Sequence, residues 1–241
     1  MTYTIADLHL SLGTDKSMEK FGGRWMGYTE KLGRRWRALV GESDSVVVPG
    51  DISWAMHLSD AAADLTFIDS LPGTKYFVRG NHDCWWSSLA KMDALLDSLG
   101  LRSIRFIQNN AVNTGDIIAA GSRGWYIEPR LQNTAFPTDY ERIVARECIR
   151  LGMSLDCAEK LADEAENSPE IVLFLHFPPV FGDFICRPIV ELIKKYNIRR
   201  CFFGHIHHTY NIPRTTEFEG IAFTLCSADY LDFTPLPVHI G

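Results

Sequence analysis

Short apolar runs that stop at a histidine, a carboxylate or an asparagine alternate along this chain with stretches whose apolar residues return at helical spacing. Residues 3–6, Val46–Val48, 75–79, Ile171–Leu175 and Cys201–Phe203 read as strands, and the β-branched run at Val46 predicts a buried one. Between them the spacing predicts a helix ending near Leu39, one near 58–70, one over Ser87–Leu99, one reaching about Glu166 and one over 187–196. In the third, Leu89, Met92, Leu95, Leu96 and Leu99 form a stripe that belongs in a core, and Gly100 stops the helix. In the fourth, Tyr140, Val144, Cys148, Leu151, Leu155, Ala158 and Ala162 lie on one face behind Thr138-Asp139-Tyr140-Glu141, which has the form of a capping box. Shorter strands are expected at Ile104–Ile107, Ala111–Asn113 and Ile117–Ala120, the last two joined by a hairpin-type turn through Gly115. Strand-like runs at 209–212 and 221–226 precede an extended, proline-containing tail. Residues 11–25 read as loop, and Gly121 to Pro137, rich in glycine, proline and aromatics without a period, has the character of a lid or binding loop.

Composition narrows the class. With 241 residues and no repeat, linker or shift in composition, residues 1–241 read as one domain large enough for a substantial core. The 46% hydrophobic and 22% charged content is that of a soluble globular protein. A net charge of −6 argues against broad, charge-driven binding to nucleic acid. No run approaches the ~18 apolar residues a membrane span needs. The first apolar run leads straight into Asp7, so it reads as structural and not as a cleavable signal. Scattered cysteines without a Cys-x-x-Cys pair suit reduced thiols, and a cytoplasmic location is expected. Arg34, Arg35 and Arg37 read as a solvated helix face.

The chemistry lies where the strands end: Asp7-Leu8-His9, Gly50-Asp51, Gly80-Asn81-His82-Asp83, His176 and Gly204-His205-Ile206-His207. Any one of these is an ordinary polar turn. Together they place nitrogen and oxygen donors, with no cysteine among them, at the carboxyl ends of strands, where α/β sheets gather ligands. If the chain stays extended there, Asp7 and His9 point the same way. Such donor sets suit hard or borderline divalent metals such as Mn²⁺, Fe²⁺, Zn²⁺, Co²⁺ or Ni²⁺.

In this order the blocks resemble the signature of the calcineurin-like metallophosphoesterase superfamily, and they span residues 7 to 207. The resemblance implies a four-layer α/β/β/α sandwich of two mixed β-sheets, with the site along one edge. It implies two divalent metal ions, Mn²⁺, Fe²⁺ or Zn²⁺ foremost: Asp7, His9 and His207 hold one, Asn81, His176 and His205 the other, and Asp51 bridges them. A metal-bridging hydroxide then attacks the phosphorus of a phosphomonoester or phosphodiester, and His82 is the general acid for the leaving oxygen. The protein serine/threonine phosphatase branch carries a further Asp and an Arg after the Gly-Asp block. Here that stretch reads Ile52-Ser53-Trp54-Ala55-Met56, which points to a small phosphorylated substrate or nucleotide instead. Arg79 and His208, beside ligand positions, and Arg123, Trp125, Tyr126 and Arg130 of the long loop are candidates for substrate contacts. His57 and His239 match nothing in the signature. The competing readings are a nuclease of the same fold and a catalytically silent metal-binding scaffold.

Overall fold

The computed structural model describes residues 1–126 and 140–239. In chain order the strands are β1 (Thr2–Thr4), β2 (Ser45–Pro49), β3 (Thr74–Val78), β4 (Ile104–Phe106), β5 (Ala111–Asn113), β6 (Ile118–Ser122), β7 (Ile171–Leu175), β8 (Val180–Phe181), β9 (Phe184–Ile185), β10 (Arg200–Phe203), β11 (Thr215–Phe218), β12 (Ile221–Leu225) and β13 (Leu236–Pro237). The helices are α1 (Tyr28–Leu39), α2 (Ala62–Asp69), α3 (Leu89–Leu99), α4 (Tyr140–Glu164) and α5 (Arg187–Lys195), with 3₁₀ turns at Met18–Phe21, Gly23–Trp25 and Leu58–Ala61.

One sheet runs β13-β1-β2-β3-β4 and the other β11-β12-β10-β7-β6-β5, while β8 and β9 pair as a hairpin. Both large sheets are mixed. β1 to β4 are mutually parallel, as are β6, β7, β10 and β12, and antiparallel strands lie at three of the four sheet edges. The apolar runs carry no polar alternation because these strands are covered on both faces. Val46 and Val48 face α1 to α3 while Val47 faces the other sheet. Leu173 and Leu175 face α4 and α5 while Val172 and Phe174 point between the sheets, where Phe174 stacks on Phe202 at 5.5 Å. Two sheets thus pack face to face with helices outside both, the expected four layers.

Several expectations need correction: on α3 Met92 and Leu96 are buried, but Leu99, expected in the core stripe, is exposed at the end of the helix. Residues 209–212 are not a strand; the antiparallel partner of β12 is β11, whose Thr215–Glu217 side chains are exposed and so leave no apolar signature. β1 also ends early. Beyond Thr4 the pairing continues among the described residues as isolated bridges, Ala6 to Ser227 and Leu10 to Ser53, because Asp7 and His9 turn to left-handed φ of 60° and 45°. Of the predicted loop, Gly121 and Ser122 belong to β6; Arg130, the rest of 127–137 and the first half of the capping box lie outside the described residues. Arg34 and Arg37 are exposed, whereas Arg35 pairs with Asp232 at 2.7 Å.

The two sheets meet at the carboxyl ends of their strands. Ala6 N–H donates to the Cys226 carbonyl at 2.8 Å, and Asp7 N–H and His9 N–H donate to the carbonyls of Gly50 and Asp51, each at 2.9 Å. This seam brings the turn after β1 against the turn after β2 and, across the sheets, against the end of β12.

Candidate metal centre

Backbone geometry carries the side chains inward. Asp51 and His205 also sit at left-handed φ, 53° and 70°, a conformation that costs a residue with a Cβ unless its surroundings hold it. At Asp51 the hold is Asp83. Its carboxylate accepts from the N–H groups of Asp51 at 2.9 Å, Ile52 at 2.9 Å, Ser53 at 3.3 Å and Gly80 at 2.8 Å, and from the Trp85 ring at 3.0 Å. The turns after β2 and β3 are thereby locked together. At His205 the backbone N–H donates to Asp7 Oδ2 at 2.8 Å.

The donors converge as follows. One ligating atom each from Asp7, His9 and His207 lie within 4.8 Å of one another, and so do atoms from Asp7, Asp51 and His176. His9 Nε2 and His207 Nε2 face each other at 3.1 Å. Asn81 Oδ1 lies 2.6 Å from His176 Nε2 and 3.1 Å from His205 Nδ1. Asp51 Oδ2 stands between the two groups, 3.6 Å from His9 Nε2 and 3.5 Å from His176 Nε2. All seven positions expected from the sequence meet at this one place.

Burial sets the charge state. It pushes the Asp7 carboxyl up to about 8 against the pull of His207, Asp51 up to about 6, and Asp83 up to about 7. Burial lowers His176 to about 3, and His9 and His205 fall as well. These imidazoles are neutral, the form that can ligate. For His207 burial acts downward, but Asp7 and Asp229 outweigh it and raise the ring to about 9. Asp7 Oδ1 and His9 Nδ1 are buried with no hydrogen-bond partner among the described residues. An unsatisfied buried acceptor costs about 1–3 kcal/mol, more when charged, and a cation removes that cost. Neutral imidazoles, two buried carboxyls and an amide oxygen around the orphaned acceptor Asp7 Oδ1 fit divalent cations.

Two supporting residues had no assigned part in the sequence reading. Asp83 was visible as the last residue of its motif, but nothing local shows that it caps another turn. Asp229 holds His207 Nδ1 at 2.9 Å and accepts from His208 N–H and Tyr210 Oη, each at 3.0 Å. Lying outside every motif, it left no sequence signal.

The remaining candidates fall at the rim. His82 donates its backbone N–H to Asp51 Oδ1 at 2.8 Å, and its ring packs 4.3 Å from Trp54 and 5.5 Å from His9. Trp54 also stacks on His9 at 4.9 Å, so an indole packs where the sequence lacks the acid of the protein phosphatase branch. His208 is exposed, with its ring 6.4 Å from His207. Arg79 is exposed, Arg123 and Trp125 are half-buried against Phe177, and Tyr126 is buried against Phe184 and His205. Trp125 and Tyr126 thus contribute to the core beneath the second sheet. His57 and His239 are exposed and take no part.

A family model described as calcineurin-like phosphoesterase matches residues 2–209. No curated protein matches the chain. Among solved structures, a protein of unknown function from Aquifex aeolicus aligns over 98% of this chain and 94% of its own, at 17% identity and a TM-score of 0.50. Phosphopantetheinyl hydrolase from Mycobacterium tuberculosis aligns over 94% and 88%, at 18% identity and a TM-score of 0.48. The matched span takes in every strand-end turn that feeds the cluster, from Asp7 to His207, and by that match the chain belongs to the calcineurin-like phosphoesterase family, hydrolases of phosphoester bonds.

Proposed function

We propose that the protein hydrolyses a small phosphorylated molecule at a centre for two divalent cations. Asp7, His9 and His207 form one side, Asn81, His176 and His205 the other, and Asp51 is shared. The observation that carries this reading is the position of Asp51 Oδ2, 3.6 Å from His9 Nε2 and 3.5 Å from His176 Nε2, between two groups of buried donors. Bound there, two divalent cations supply Lewis acidity toward a phosphoryl oxygen and lower the pKa of water.

The chain's own residues do the rest. Asp229 fixes the orientation of His207 and sets which ring nitrogen faces the centre. Asp83 holds the left-handed turn that aims Asp51. His82 is tied to Asp51 through its backbone, so its ring stays beside the centre without being needed as a ligand. It delivers a proton to the departing oxygen, a contribution worth ~10²–10⁴ in rate. Arg79 and Arg123 pair with anionic oxygens of the substrate, and His208 reaches it from the opposite rim. The net charge of −6 favours a small substrate over a nucleic acid.

Turnover of p-nitrophenyl phosphate with added Mn²⁺, read beside metal analysis, tests the proposal. Wild-type protein should carry two ions per chain, and Asp51→Asn should lose at least one of them together with turnover. A fully loaded wild-type protein holding a single ion, or an Asp51→Asn variant with undiminished turnover, would sink it.

A further inference from the structure

Beyond the metal centre, the carboxyl ends of β3 and β6 and one face of α4 line an open cleft of about 250 Å³. Arg79, Arg123 and Arg150 line it together with Glu147, Gln108 and Asn109. Glu147 is committed elsewhere. Its Oε1 accepts from the Ser122 hydroxyl and from Gly124 N–H at 2.8 Å, and its Oε2 lies 3.7 Å from Arg150. One carboxylate therefore faces three guanidinium groups in a chain whose net charge is −6. Arg123 Nε is buried with no hydrogen-bond partner among the described residues. Desolvation lowers the Arg123 pKa, Glu147 raises it, and Arg79, Arg150 and Arg146 lower it further. Like charges are crowded here, and an oxyanion would relieve the crowding.

The cavity lining contains no ligand position, but it adjoins the segments that carry them. Arg79 precedes Asn81 by two residues, and Phe177 N–H donates to the Arg123 carbonyl at 2.8 Å, next to His176. The volume is below the ~300–1,000 Å³ of a pocket for a whole drug-sized ligand, so it suits one end of a molecule.

We propose that this cavity is a second oxyanion subsite, which binds a phosphate or carboxylate at the end of the substrate remote from the phosphoester that is cleaved. The enzyme would then select small, doubly anionic molecules. The inference rests on the phosphoesterase reading for the direction in which a substrate lies, but anion binding in the cavity stands apart from turnover. Planar guanidinium forks match either oxyanion, so the experiment must distinguish them.

Binding of propane-1,3-diphosphonate, 4-phosphonobutanoate and propylphosphonate, none of which can be hydrolysed, is measured by calorimetry on the full chain loaded with Mn²⁺. At least one doubly anionic ligand should bind about tenfold or more tighter than propylphosphonate, and the tighter of the two identifies the second group. Arg150→Gln, at a half-exposed position that folding should tolerate, should reduce that advantage to about threefold or less. Arg79→Gln is the second variant should Arg150→Gln misfold, and the wild-type ranking decides even without variants. If all three ligands bind alike, the subsite is overturned, and turnover of p-nitrophenyl phosphate leaves the phosphoesterase reading untouched. If a doubly anionic ligand keeps an Arg150-dependent advantage while no phosphoester is hydrolysed, the subsite stands and the phosphoesterase reading falls.

Discussion

Asp83 offers no atom to the cluster of donors, yet the N–H groups of Asp51, Ile52, Ser53 and Gly80 all end on its carboxylate. Asp229 stands in the same relation to His207. At the residue scale the centre is thus a set of ligand positions with a second set that aims them. Replacing Asp229 with Asn keeps an oxygen near His207 Nδ1 but removes the charge, and Mn²⁺ affinity should fall about 10–100-fold. A titration showing unchanged affinity would reduce Asp229 to a packing role. His82 makes a different prediction. His82→Ala should retain the bound ions and lose about 10²–10⁴ in turnover on esters with poor leaving groups, with a much smaller loss on p-nitrophenyl phosphate, which needs little protonation. Equal losses on both kinds of ester would make His82 a positioning residue.

At the scale of elements, the turns after the strands are built so tightly that glycine is required. A Cβ on Gly80 would lie 2.1 Å from Asp51 Oδ1, and one on Gly204 would lie 2.5 Å from Asp7 Oδ2. Gly80→Ala must therefore push the Asp51 turn away from β3. We expect a stability loss of about 1–3 kcal/mol and loss of metal binding, read by denaturant unfolding and metal analysis. If the variant binds both ions normally, the turn is looser than this contact implies. The long helix α4 also does more than cover a sheet. Ser154, among its apolar residues, accepts from Gly121 N–H at 3.0 Å and donates to the Asn110 carbonyl at 2.7 Å, tying β6 to the turn before β5. Glu147 on the same face ties the end of β6 to the second oxyanion cavity.

At the scale of the whole molecule, burying carboxyls and imidazoles together links metal, proton and stability. Without metal, the folded chain holds protons at pH values where the unfolded chain has released them: on Asp83 up to about 7, on Asp7 up to about 8 and on His207 up to about 9. Stability from such raised groups is present at lower pH and is lost as pH rises through the folded value. The lowered histidines act oppositely, but only below their ordinary value of 6.5. From there to about pH 8 the downward trend leads; above that the Lys75 ammonium, which burial lowers to about 8, acts against it. The melting temperature of protein in chelator should therefore fall between about pH 6.5 and 8, and the stabilisation by Mn²⁺, which favours the ionised carboxylates, should widen over the same range. A gap that does not change with pH would show that these groups do not carry the linkage.

The elements themselves were legible in the chain. Strand runs such as Val46–Val48 and Ile171–Leu175, the stripes of α4 and, short of the exposed Leu99, of α3, and the order of the donor-bearing turns are local patterns, and local physics is written in neighbouring residues. The same patterns failed where a side chain does not report its environment. β11 is an exposed edge strand without apolar alternation, and the turn at Asp7 looks extended until Gly50 and Cys226 are seen to hold it. Asp83 and Asp229 as supports, and the meeting of Arg79, Arg123 and Arg150 around one cavity, were not legible at all. These depend on turns 32 and 198 residues apart meeting at one seam, as the Asp51–Asp83 and Asp7–His205 hydrogen bonds do. Sequence determined which chemistry is available at each strand end. Only the packing of two sheets, which brings distant carbonyls and N–H groups into register, decided which of those ends face one another.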